Sequence, residues 1–134
     1  MKKRAIKIVT VCAIILFCIL WIFGEKTFSL KLDEVSKIEI FNGHTGHSII
    51  IQDKDEIEKI VNNLNEVSMR WKEISFLKLG YSLKFSIYNE QEKKMKSFII
   101  NGKDYVRKTF FSYKVIKGKL NYEYFYELVE KNRK

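Results

Sequence analysis

An α+β fold, with an N-terminal transmembrane helix followed by one antiparallel sheet of about five strands, is predicted by three observations. Residues Ile8 to Phe23 carry no charge. Ile57, Ile60, Val61, Leu64 and Val67 recur at the helical period within a polar stretch. Around that stretch, short runs alternate apolar and polar side chains and are separated by turn residues rather than helical crossovers, as antiparallel pairing requires. The expected layout is a signal-anchor helix over residues 1–24, a linker over 25–35 and one extracytoplasmic domain over 36–134. In that domain an amphipathic helix packs on one face of the sheet and a short helix closes the chain.

The anchor comes first. From Ala5 to Gly24 the chain has 20 residues, with Lys7 able to snorkel, and these span roughly 30 Å as a helix. A cleaved signal would share the basic start Lys2, Lys3, Arg4 and Lys7, but it would end in a small-x-small site. Here the apolar run ends Leu20-Trp21-Ile22-Phe23-Gly24-Glu25, whose bulky side chains suit an interfacial aromatic belt instead. Neither Val11-Cys12 nor Phe17-Cys18 offers the small residue that lipidation needs. The basic residues precede the run, so the positive-inside rule puts the N-terminus in the cytoplasm and the rest of the chain outside.

The domain follows in order. Lys37 to Phe41 alternates, Asn42-Gly43 signals a turn and His47 to Ile51 resumes the alternation, which predicts a hairpin. After Gln52 the helical stripe begins, with Asp53 as cap, Glu56 completing a capping box, and Asp55 and Glu58 near the positive helix end. Met69 to Ile74 reads as a strand. Tyr81 to Tyr88 is the clearest one, with Tyr81, Leu83, Phe85 and Ile87 on one face and Ser82, Lys84, Ser86 and Tyr88 on the other. Lys94 to Asn101 is the next strand, and Tyr105 to Ile116 forms one long or two short strands. Gly118 breaks the run, and Asn121 is the expected cap of a last helix bearing Tyr122, Phe125, Leu128 and Val129.

Composition narrows the function. Both cysteines, Cys12 and Cys18, fall in the anchor, so the body has no internal disulfide and depends on packing. An aromatic content of 14% and the absence of proline argue against a disordered tail. Charge is uneven: residues 25–66 carry 5 basic and 9 acidic side chains, residues 67–134 carry 16 and 7. The basic half would be drawn to lipid headgroups, anionic wall polymers or acidic protein faces. Its candidate contacts are Lys94, Lys96, Arg107 and Lys108.

Other chemistries find less support. His44 and His47, three apart in the hairpin loop, have the spacing to reach one Zn²⁺ or Cu²⁺ ion, but a third ligand is missing and only a distant carboxylate such as Asp33 or Asp104 could supply it. Turn geometry explains the same loop. The acids Asp53, Asp55, Glu56 and Glu58 are accounted for by capping. No nucleophile elbow, phosphate-binding glycine loop or Cys-x-x-Cys motif is present. Lys96, Phe98, Tyr105, Arg107, Phe110, Phe111 and Tyr113 interleave base and ring in the manner of a single-strand binder, but rings in the core and charges in water account for that pattern, so no nucleic acid is expected.

The stretches SKIEIFNG, SIIIQDKDEIEKIVNNLN, GYSLKFSIYNEQEKKMKSFIINGKDY and YKVIKGKLNYEYFYELV lie in that order over most of residues 36–130. In that pattern the chain resembles the small extracytoplasmic domains of uncharacterised membrane-anchored or lipoprotein-type proteins of low-GC Gram-positive bacteria. The resemblance implies a location and a fold, and it transfers no catalytic residue. The expected role is a non-catalytic binding or interaction module of the cell envelope, without cofactor, whose partners are the membrane and an envelope protein or anionic polymer. The alternatives are an immunity or inhibitor protein against a membrane- or wall-active factor, and a metal-binding enzyme built on His44 and His47.

Overall fold

The computed structural model describes residues 1–75, Gly80 and 82–132. Helix α1 (Lys2–Phe23) ends where the Gly24 N–H donates to the Leu20 carbonyl at 2.9 Å. There follow β1 (Lys26–Thr27), a 3₁₀ turn (Leu32–Glu34), β2 (Lys37–Asn42), β3 (Ser48–Ile51), α2 (Lys54–Asn65), β4 (Ser68–Ile74) and β5 (Leu83–Tyr88). The chain closes with β6 (Lys94–Asn101), β7 (Tyr105–Lys108), β8 (Phe111–Lys117) and α3 (Tyr122–Lys131). The architecture is α+β, as the sequence predicts.

The strand count is corrected. Among the described residues all strands join one antiparallel sheet of 8, in the order β1-β4-β8-β7-β6-β5-β2-β3. Two physical reasons raise the number above five. Residues 105–117 fold back through a turn at Thr109, whose positive φ of 52° reverses the chain and splits the run into β7 and β8. In addition, Lys26 and Thr27 pair with Met69 and Ser68, adding a strand immediately after the helix.

That pairing also revises the expected linker. Phe28 (0% exposed) and Leu30 are core residues, and the Asn65 side chain on α2 clamps the Leu30 backbone, accepting from its N–H at 2.8 Å and donating to its carbonyl at 2.7 Å. Phe28, Leu30 and Val35 therefore tie this segment to the packed body, while Lys31 to Glu34 stay exposed. The sequence hides this because Phe28 and Leu30 alternate over too few residues to register as a strand.

One face of the sheet is the core. Ile38, Ile40, Ile49, Ile51, Leu83, Phe85, Ile87, Phe98, Ile100 and Val106 project from it against Ile57, Ile60, Val61 and Leu64 of α2 and Phe125 and Val129 of α3. A chain of rings crosses this interior: Phe28 to Phe98 at 4.6 Å, Phe98 to Phe85 at 5.2 Å and Phe85 to Phe125 at 5.2 Å. The two caps differ. Asp53 accepts from the Glu56 N–H at 2.9 Å as expected, although Glu56 Oε1 stays buried and unpartnered, so the box is half formed. Asn121 occupies the expected cap position without capping; instead its own N–H donates to Asn63 Oδ1 on α2 at 3.0 Å, tying the two helices together. Tyr81, expected on the core face, lies outside the described residues.

Candidate functional site

Strand phase decides where the basic side chains go. Register pairs Ile87 with Lys96, Phe85 with Phe98 and Ile100 with Val106, so Lys96 and Lys108 stand in the same rows as the core residues, at the end of the sheet that holds Phe28. Lys94 would share that face by simple alternation. A bulge between the Ile87 and Tyr88 pairs turns it over. Lys94 consequently lines a cleft on the opposite face with Glu39, Phe41, Lys84 and Ser86. Arg107, between Val106 and Lys108, is on that opposite face too and donates to the Gly80 carbonyl at 3.1 Å. The four candidate contacts thus split into two pairs on opposite faces, and the expectation that the charges simply face water fails for Lys96 and Lys108.

Lys96 and Lys108 are joined by a residue that sequence reasoning missed, Lys26 of β1. The Lys96 ammonium donates to the Phe28 carbonyl, and the Lys26 ammonium donates to the Trp21 carbonyl while lying 4.6 Å from that ring's centroid. The Lys108 ammonium sits 5.0 Å from the Phe28 ring and 6.0 Å from the Tyr113 ring. Among the described residues none of the three lysines forms an ion pair, whereas Lys37, Lys103, Lys117 and Lys131 each do. Burial, then the charges of Lys96 and Lys26, push the Lys108 ammonium down to about 8, and burial lowers that of Lys96. The phase of two members is in the sequence, Lys96 with Phe98 and Ile100 and Lys108 with Val106, but nothing local marks Lys26 or joins the three.

The cluster adjoins the end of α1. Phe23 meets Trp71 of β4 edge to face at 5.0 Å, and Lys117 of β8 pairs with Glu25 at 3.5 Å. Helix α1 is long and apolar enough to cross a membrane, and no side chain on it is buried against the body; Trp21, near its end, is 68% exposed.

The histidine loop is organised around a different partner. Glu130 of α3 accepts from the Thr45 hydroxyl at 2.8 Å and from the Asn42 amide at 3.0 Å, and its carboxylate approaches His47 Nδ1 at 3.4 Å. The Thr45 bond, then His47 and Asn42, holds the Glu130 carboxyl below its ordinary value against an opposing effect of burial. His44 instead lines a cleft of about 470 Å³ with Ser82, Asn101 and Arg107. Neither Asp33 nor Asp104 approaches His47, and among the described residues no three His, Cys, Asp or Glu side chains converge. The loop geometry fits a latch between the hairpin and α3.

No family model, curated protein or solved structure matches this chain.

Proposed function

We propose that the chain is a single-pass membrane protein whose outer portion is a non-catalytic binding module of the cell envelope. One observation carries this reading. An apolar helix none of whose side chains is buried, and which touches the body only at its last turn, runs through Gly24 directly into the first strand of a sheet. Burying its uncovered Ile, Leu, Phe and Val side chains in lipid is worth on the order of tens of kcal/mol at roughly 1.5–3 kcal/mol each. The four basic residues in the first two turns of the helix, ahead of its uncharged run, support a cytoplasmic N-terminus. Because Lys26 and Thr27 pair with β4 and Phe28 and Leu30 enter the core, the module is held at the bilayer surface, where its search for a partner is confined to two dimensions.

Two measurements on the intact chain test the proposal. The protein should stay in the membrane pellet through alkaline carbonate extraction. A photo-crosslinker at exposed Lys84, on the face away from the helices, should capture an envelope component in living cells. Release into the carbonate supernatant, or crosslinks to cytosolic proteins alone, refutes it.

A further inference from the structure

We infer that Lys26, Lys96 and Lys108 form a binding site for the phosphate of an anionic lipid headgroup in the membrane that α1 enters. The inference rests on α1 being embedded in lipid, and it names the first ligand of the module.

Donor accounting points to an anion. Each ammonium has three N–H donors. Lys26 and Lys96 each give one to a backbone carbonyl, and Lys108 gives none to any acceptor among the described residues. The Lys108 ammonium is not sealed in, since the fully buried side-chain atoms without partners are Glu56 Oε1, Trp71 Nε1, Ser75 Oγ and Tyr124 OH. Three like charges, with no carboxylate among the described residues paired to any of them and those of Lys96 and Lys26 disfavouring the charge on Lys108, are stabilised by an incoming anion. The rings of Phe28 and Tyr113 strengthen that attraction by excluding water around Lys108.

Placement selects the source of the anion. Lys26 touches Trp21 in the last turn of α1, and Phe23 is packed on β4, so the cluster lies at the level where an embedded helix meets headgroups. A phosphodiester of the surrounding lipid is therefore always within reach, whereas a soluble polymer must approach from the far side. A lysine near an anionic surface is worth roughly a fivefold gain in occupancy, so three give on the order of a hundredfold preference.

The test uses the full chain in nanodiscs of phosphatidylcholine alone and of phosphatidylcholine mixed with phosphatidylglycerol, with lipids retained on the protein counted by native mass spectrometry. Entry into the pure phosphatidylcholine discs reports on the anchor and is independent of the lysines. In mixed discs, the wild-type chain should retain phosphatidylglycerol in clear excess over its share of the disc. Lys26→Gln/Lys96→Gln/Lys108→Gln should reduce that excess by at least tenfold. Lys54→Gln/Lys93→Gln/Lys114→Gln, at three exposed positions of equal charge loss, should leave it unchanged. Lys26→Gln alone, on a short edge strand, guards against misfolding of the triple variant and should reduce the excess severalfold. Equal loss in both triple variants, or no excess in the wild-type chain, overturns the inference. Millimolar inorganic phosphate should not displace the lipid; displacement with no phosphatidylglycerol preference would assign the site to free anions and likewise overturn it.

Discussion

Replacing Phe28 by alanine removes the first ring of the interior chain that runs through Phe98 and Phe85 to Phe125. The ring is fully buried and lies 4.6 Å from Phe98, and the Lys108 ammonium rests on it. A buried phenylalanine reduced to alanine costs ~3–5 kcal/mol, a large share of the roughly 5–15 kcal/mol that holds a domain together. Urea unfolding of the full chain in micelles, followed by near-ultraviolet circular dichroism of the aromatic core, measures the loss. With a slope of roughly 1–3 kcal/mol per molar urea, the midpoint should fall by about 1–5 M. Lys31→Ala, three residues on and exposed, serves as the control, because its only ion pair among the described residues is the surface one with Glu34 and its effect should stay within about 0.5 kcal/mol. A loss below about 1 kcal/mol for Phe28→Ala would show that residues 25–35 are a tether and refute the packed junction.

Two further perturbations probe the fold. The Glu130 carboxyl titrates below its ordinary value in the folded chain, so its contribution is present above the unfolded value of about 4.3 and is lost as pH falls through the lower folded one. Glu130→Gln should accordingly melt below wild type at pH 7, with the gap closing on acidification; a gap independent of pH would place the effect elsewhere. At Gly118, φ is +74° and an added Cβ would stand 2.4 Å from the Glu66 carbonyl oxygen, while at Gly102, φ is +69° with nothing within 4 Å. Gly102→Ala should cost only the roughly 1–2 kcal/mol of left-handed backbone, and Gly118→Ala measurably more in the same unfolding assay.

Much of the architecture is written in periodicity. The stripe Ile57, Ile60, Val61 and Leu64 is the buried face of α2, and Leu83, Phe85 and Ile87 are core, because three or more in-phase apolar residues identify a face without knowledge of the partner. The signal fails where a segment is too short or depends on distant groups. Lys26 and Thr27 form a strand only because β4 offers an edge, and nothing local distinguishes them from a tether. Asn121 looks like a cap, but Asn63, 58 residues away, takes its N–H. The basic residues were legible as a class and not as a site. Their faces depend on the extra residue at the Ile87/Tyr88 bulge, which sends Lys94 one way and Lys96 the other. Likewise, the partner of His47 is a carboxylate 83 residues on, and no spacing rule reaches that far.

The claim on which the rest depends is that α1 lies in lipid with the body outside, and the two native cysteines allow a direct test. Cys12 and Cys18 are both on α1, and Asn62 is exposed on α2. Intact cells expressing the wild-type chain or Asn62→Cys are treated with a membrane-impermeant maleimide, before and after lysis. The Asn62→Cys chain should be labelled in whole cells, and the wild-type chain should stay unlabelled until detergent dissolves the bilayer. Labelling of Asn62→Cys only after lysis, or of the wild-type chain in whole cells, would contradict the account.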